Sequence, residues 1–187
     1  MTKTPTQTLT LEEFLKLPET KPASEYINGQ IIQKPMPQGK HSTIQGELVT
    51  SVNAIAKAKK VAKAFPELRC TFGGRSIVPD VAVFSWERIP VNRNGDVANV
   101  FANAPDWTIE ILSSDQSPTK VISNILHCLT HDCKLGWLID PNEKSVVVYP
   151  LGKQPVFFEK ANELLLVPEF LGKLQLKVED LFNWLKI

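Results

Sequence analysis

Two stretches of this chain pose a problem for any fold it could adopt. SIVPDVAVF (residues 76–84) and WTIEILS (107–113) have the apolar density of buried strands, yet each carries one carboxylate, Asp80 and Glu110. Burying an unpaired charge costs several kcal/mol, on the order of what separates folded from unfolded chains. Side-chain alternation places Val78, Asp80 and Ala82 on one face of the first strand, and Ile77, Val81 and Val83 on the other. It groups Glu110 with Thr108 and Leu112, away from Ile109 and Ile111. Neighbouring strands of this kind bring both acids to one point, where like charges repel unless a divalent cation lies between them. Magnesium suits such a pair, because it accepts one or two carboxylates and takes its other ligands from water and phosphate. The structural alternative is that Pro-Asp starts a strand out of a loop and each acid pairs with a lysine or arginine.

The rest of the chain supplies an α/β frame for these strands. Thr10 and Glu13 form a capping-box pattern ahead of an apolar face made by Leu11, Phe14 and Leu15, and the prolines at 18 and 22 end that helix. SEYINGQIIQKP reads as a hairpin turning at Asn28-Gly29. Ile44, Leu48, Val52 and Ile55 make a helical stripe over about residues 41–60, closed by Lys57, Lys59, Lys60 and Lys63. Short strands follow in ELRCTF, the two acid-bearing runs, KLGWLIDP, SVVVYP and QPVFFE. Ser117-Pro118 opens a helix over 118–131 between WTIEILS and KLGWLIDP, a strand-helix-strand unit that makes those two strands parallel. Residues 89–104 read as a loop, and VEDLFNWLKI as a closing helix. The expected architecture is one domain over 1–187 with a central mixed sheet flanked by helices. It divides into an N-terminal helical arm (1–22), a core (23–150), and C-terminal strands and helix (151–187).

Charge excludes little, because 21 basic against 20 acidic residues give no global pull toward nucleic acid or membrane. The lysines at 57, 59, 60 and 63 are the one dense basic patch, either a solvated helix end or a surface for a phosphate backbone. No apolar run reaches the roughly 18 residues that span a bilayer. With a polar start and three cysteines (Cys70, Cys128, Cys133), a cytoplasmic protein with free thiols is expected.

VPDVAVF, then DWTIEILSSDQSPTK, a helix and GWLIDP, in that order, resemble the Uma-type putative restriction endonucleases, a bacterial family of PD-(D/E)XK nuclease fold. TLEEFLKLP, SEYINGQII, KHSTIQGELV and LVPEFLGKLQLKVEDLF extend the likeness over nearly the whole chain. The resemblance implies a restriction-endonuclease-like core and a Mg²⁺-dependent (or Mn²⁺-dependent) endonuclease acting on DNA. Its metal ligands would be Asp80, Glu110 and the peptide carbonyl of Ile111, assisted by Glu25 and His41. It departs from the plain motif at Leu112, where E-X-K carries lysine. Family members often place that lysine on the following helix, where this chain has Asn124, and Lys120 one turn earlier is the candidate replacement. A lysine there orients the attacking water or neutralises charge growing on the phosphoryl oxygens. The alternative is a catalytically weak or inactive nucleic-acid-binding protein on the same fold. Such folds often dimerise, with Trp107, Trp137 or Phe157-Phe158 as interface candidates. HCLTHDC offers His127, Cys128, His131 and Cys133 as zinc-capable types, but lacks a second knuckle. FGGRS leads into a strand and reads as a turn, and no G-x-S-x-G elbow is present.

Overall fold

The computed structural model describes residues 9–187, so the first eight residues of the expected N-terminal arm lie outside them. Thr10 caps α1 (Leu11–Phe14), and its capping box with Glu13 forms as expected. The hairpin β1 (Ser24–Ile27) and β2 (Gln30–Gln33) turns at Asn28 and Gly29, whose φ values of 51° and 82° are the left-handed pair a tight hairpin requires. The stripe helix is α2 (Gly39–Ala56), which buries Ile44, Leu48 and Val52.

It ends earlier than expected. Lys57 caps it, Lys60 takes a left-handed φ of 51°, and Lys63 already belongs to a strand, β3 (Ala62–Pro66), that the lysine-rich pattern conceals. β4 (Cys70–Phe72) and β5 (Arg75–Ile77) turn at Gly73-Gly74, the expected hairpin.

SIVPDVAVF is not one strand. β5 ends at Ile77, β6 (Val81–Ser85) begins at Val81, and the two belong to different sheets. Within β6 the alternation holds: Val81 and Val83 enter the main core, while Ala82 and Phe84 join a second cluster around Cys70 and Phe101. β7 (Trp107–Ile111), α3 (Pro118–Leu129) and β8 (Leu135–Asp140) form the expected parallel crossover. β9 (Ser145–Pro150) and β10 (Val156–Phe158) extend the sheet, and α4 (Val178–Asn183) closes the core.

The mixed sheet runs β10-β9-β8-β7-β6-β3, and a smaller sheet runs β2-β1-β5-β4. Trp107 and Trp137 meet edge to face at 4.7 Å, wholly buried in the core. They are therefore not available for the interface considered for them. Phe158 is buried as well, and Phe157 alone of the four is exposed. No helix among the described residues is long and apolar enough to cross a membrane.

α3 sits closely on the sheet because Gly136 leaves it room. A Cβ at that position would run into the Cγ2 of Ile125, which is fully buried and branched at its own Cβ. Gly136→Ala should therefore lift α3, lowering stability by about 1–3 kcal/mol. A thermal melt reads this as a fall of about 2–4 °C per kcal/mol in a domain of this size.

Candidate active site

The break between β5 and β6 makes the site. Its three residues, Val78, Pro79 and Asp80, cross from the small sheet to the large one, and their backbone is fastened from both sides. The Val78 amide donates to Glu25 Oε1 of β1 at 2.8 Å, and the Val78 carbonyl accepts from Lys34 Nζ at 2.7 Å. The Asp80 carbonyl accepts from Gln45 Nε2 of α2 at 2.8 Å and from the Glu67 amide at 3.2 Å. The Asp80 side chain is held at both oxygens. Oδ2 accepts from the Ile111 amide at 2.7 Å and lies 3.1 Å from His41 Nε2, while Oδ1 accepts from Lys34 Nζ at 2.7 Å.

Glu110 projects from the middle strand of the large sheet toward the same ammonium. Its Oε2 is 3.4 Å from Lys34 Nζ, and its buried Oε1 has no partner among the described residues. Asp80 and Glu110 each expose only 2 % of their surface. The two acids and His41 thus converge as expected from sequence. Both structural alternatives are also present, since Asp80 does lead into a strand and does pair with a lysine.

Glu25 is adjacent and buried, its second oxygen accepting from Asn124 Nδ2 of α3 at 3.0 Å. Lys120 is exposed on the first turn of α3. It lines, with Glu25, Lys34, Glu110, Gln116 and Asn124, a cavity of about 330 Å³. A second cavity, of about 440 Å³, is lined by Lys34, His41, Val78, Asp80 and Gln116. Lys57, Lys59 and Lys60 lie off the far end of α2, about 24 Å from His41 at 1.5 Å per helical residue. Lys63 lies over the Phe65 ring at 4.6 Å. Glu47 is exposed and takes no part.

Sequence reasoning missed Lys34. It follows β2 directly, and two signals bear on it. Alternation puts it on the face of Ile32, and Ile32 is the cross-strand partner of Glu25. A hairpin that delivers Glu25 to the site therefore delivers Lys34 as a diagonal neighbour.

Electrostatics separates the two acids. Burial would raise Asp80, but the Lys34 ammonium and the His41 hydrogen bond outweigh it and bring the carboxyl down to about 2. Burial pushes Glu110 well above the usual carboxylate range; Lys34 opposes this, and the charges of Asp80 and Glu25 reinforce it. Lys34 is itself raised, since the three acids overcome its own desolvation.

The donors fit a magnesium-type cation. Among the described residues no three His, Cys, Asp or Glu side chains gather as a ready cage, either here or around His127. Magnesium seldom uses one, binding instead through one or two carboxylates with water and phosphate. Glu110 Oε1 is a buried oxygen without a partner. The Ile111 amide points at Asp80, and the carbonyl of a strand residue projects to the same edge as its amide. At the zinc-capable run, His127 Nε2 faces the Phe72 carbonyl at 3.1 Å, and the Cys128 and Cys133 thiols lie in the core.

The chain belongs to the Uma2 family, described as "Putative restriction endonuclease", whose model matches residues 11–179. It is similar to the crystal structure of a "putative nuclease belonging to DUF820" from Anabaena variabilis ATCC 29413. The two share 59% identity and a TM-score of 0.93, over 95% of this chain and 99% of that one. No curated protein matches.

The two acids have opposite consequences for stability. The raised Glu110 favours the fold while protonated. Its contribution is complete below the ordinary glutamate value and is lost as pH rises through its raised one. Asp80 contributes above its ordinary value of 3.8, and that contribution is lost as pH falls toward about 2. Without divalent metal, Glu110→Gln should melt above the wild type at pH 8 by a few degrees, about 2–4 °C per kcal/mol. The gap should close by about pH 4, where the ordinary glutamate is itself half protonated.

Proposed function

We propose that this chain is a magnesium-dependent endonuclease that hydrolyses DNA phosphodiester bonds. The observation that carries this reading is the meeting of Asp80 and Glu110 at one buried ammonium, beside cavities open to solvent. Asp80, Glu110 and the Ile111 carbonyl would hold the cation. When bound, it lowers the pKa of water and neutralises charge on the phosphoryl oxygens. His41 and the Ile111 amide fix the Asp80 carboxylate in one orientation, so little reorganisation is left for the reaction. Glu25 ties β1 to the Val78 turn and to α3 through Asn124, which keeps the cavity walls in register.

Lys120, on the wall of the first cavity, would meet a phosphate entering from solvent. In hydrolysis a water oxygen forms a bond to phosphorus and the P–O3′ bond breaks. The water loses a proton and the leaving oxygen gains one, giving 5′-phosphate and 3′-hydroxyl ends. Lys57, Lys59 and Lys60 would meet the backbone about seven base-pair steps away, taking 3.4 Å per step, and Lys63, on β3 opposite Phe84, nearer to the acids. Two copies acting together would reach both strands of a duplex.

Incubation with plasmid DNA and Mg²⁺ or Mn²⁺ tests the reading. The wild type should nick or linearise the plasmid, and chelation should abolish this. Asp80→Ala and Glu110→Ala should each lose about a hundredfold or more. Cleavage that survives both substitutions would remove these acids from the mechanism, whereas binding without cleavage would favour the non-catalytic alternative.

A further inference from the structure

The plain motif places its lysine at the position of Leu112, and the helix supplies Lys120 instead. Neither residue is the one in contact with the acids. Leu112 is partly buried and packs against the cluster of Val121, Ile125 and Leu138, so its side chain helps to seat α3. Lys120 is exposed.

Lys34 is the lysine within reach. Its ammonium is 2.7 Å from Asp80 Oδ1, 2.7 Å from the Val78 carbonyl and 3.4 Å from Glu110 Oε2, and its side chain is only 12% exposed. Its backbone is anchored by a 2.9 Å hydrogen bond from its amide to the Ala23 carbonyl, which carries the hairpin ladder one residue past β2. Lys34, Pro35 and Gln116 line both cavities, so Lys34 lies at the boundary between the cavity of Glu110 and that of Asp80. A strand crossing from one cavity to the other would pass this ammonium.

We propose that Lys34, carried on the β1–β2 hairpin, is the lysine of this site. Its ammonium, held against Asp80 and Glu110 at the boundary of the two cavities, meets the phosphoryl group under attack. The inference rests on the nuclease reading above. Lys34 keeps its proton throughout, donates a hydrogen bond to a phosphoryl oxygen, and neutralises charge developing there. Lys120, nearer to solvent, meets substrate outside the reacting centre.

The test compares wild type, Lys34→Met, Lys34→Cys and Lys120→Met for plasmid cleavage and for Mn²⁺ affinity by calorimetry. Lys34→Met should cleave about a hundred- to a thousandfold more slowly. It should bind Mn²⁺ more tightly than the wild type, because a positive charge no longer stands against the metal's ligands. Lys120→Met should lose about tenfold or less. Lys34→Cys guards against a fold that fails without the ammonium, since alkylation with 2-bromoethylamine rebuilds a lysine-like side chain. The native cysteines are buried, and burial raises Cys70 and Cys133 to about 12 and Cys128 well above the usual range, so the new thiol reacts first.

Cleavage recovered on alkylation supports the assignment, and a treated protein that stays inactive counts against it. Wild-type cleavage by Lys34→Met, or a larger loss in Lys120→Met, overturns it. Should no protein cleave under any metal, the nuclease reading fails. The Mn²⁺ affinities then decide Lys34 separately: a tighter Lys34→Met confirms the ammonium at the metal's ligands, and an unchanged or weaker one refutes it.

Discussion

The structure turns on withdrawing three carboxylates from water around one ammonium. Desolvating an ion costs several kcal/mol even after relaxation, and breaking a buried pair leaves a charge with nothing to answer it. Glu25, Asp80 and Glu110 come from β1, the β5–β6 connection and β7, elements belonging to both sheets. Lys34 contacts Asp80 and Glu110, while the Val78 amide and Asn124 hold Glu25 and the Ile111 amide holds Asp80. The two sheets share few strand contacts, and the ion cluster is one of the ties that hold the hairpin against the large sheet.

That cluster is also unbalanced, which makes it more than a structural staple. Asp80 is well partnered: each oxygen has a short contact, with room for one more at Oδ1, and its carboxyl is held low. Glu110 has one long contact and one buried oxygen with none, and its carboxyl is held high. Asp106, another buried acid, is instead paired with two cations, Oδ1 lying 2.8 Å from Arg88 Nη1 and 3.2 Å from Lys134 Nζ, while Oδ2 accepts from the Ser85 amide at 2.8 Å. An acid kept short of partners in a cavity wall is what the proposed cation site calls for.

Much of this was legible in the residues. The hairpin at Asn28-Gly29, the parallel crossover through α3 and the faces of β7 follow from turn chemistry and periodicity, because there local preference and tertiary packing agree. Asp80 and Glu110 stood out as charges in apolar runs. Legibility failed where local signals compete. Ala62 to Pro66 is a strand whose lysine continues the basic end of a helix, and only pairing with β6 reveals it. SIVPDVAVF looks continuous because Val78 and Pro79 are apolar, yet the proline withholds a ladder donor and the chain changes sheets there. Lys34 was hidden by distance, since it lies 46 residues from Asp80 and no periodicity links a hairpin end to a strand start.

The role proposed for Lys34 would also account for a motif lysine leaving its strand. A carboxylate proposed to hold a metal needs its oxygens fixed relative to another ligand; strand register does this for Glu110, and the Ile111 amide and His41 do it for Asp80. An ammonium is a compact point charge on a flexible stem and has only to bring its head to the right place. Any element ending within a side chain's length of the acids can supply it. Position 112 shares a face with Glu110, but α3 lies over that face, and Leu112 packs beneath it with Val121 and Ile125. A lysine there would have to exchange that apolar contact for a desolvated charge. With the cation on the hairpin, the strand keeps its apolar seat for the helix, and the helix keeps Asn124 against Glu25. The departure from the motif at Leu112 and the appearance of Lys34 at the acids are thus two sides of one packing solution.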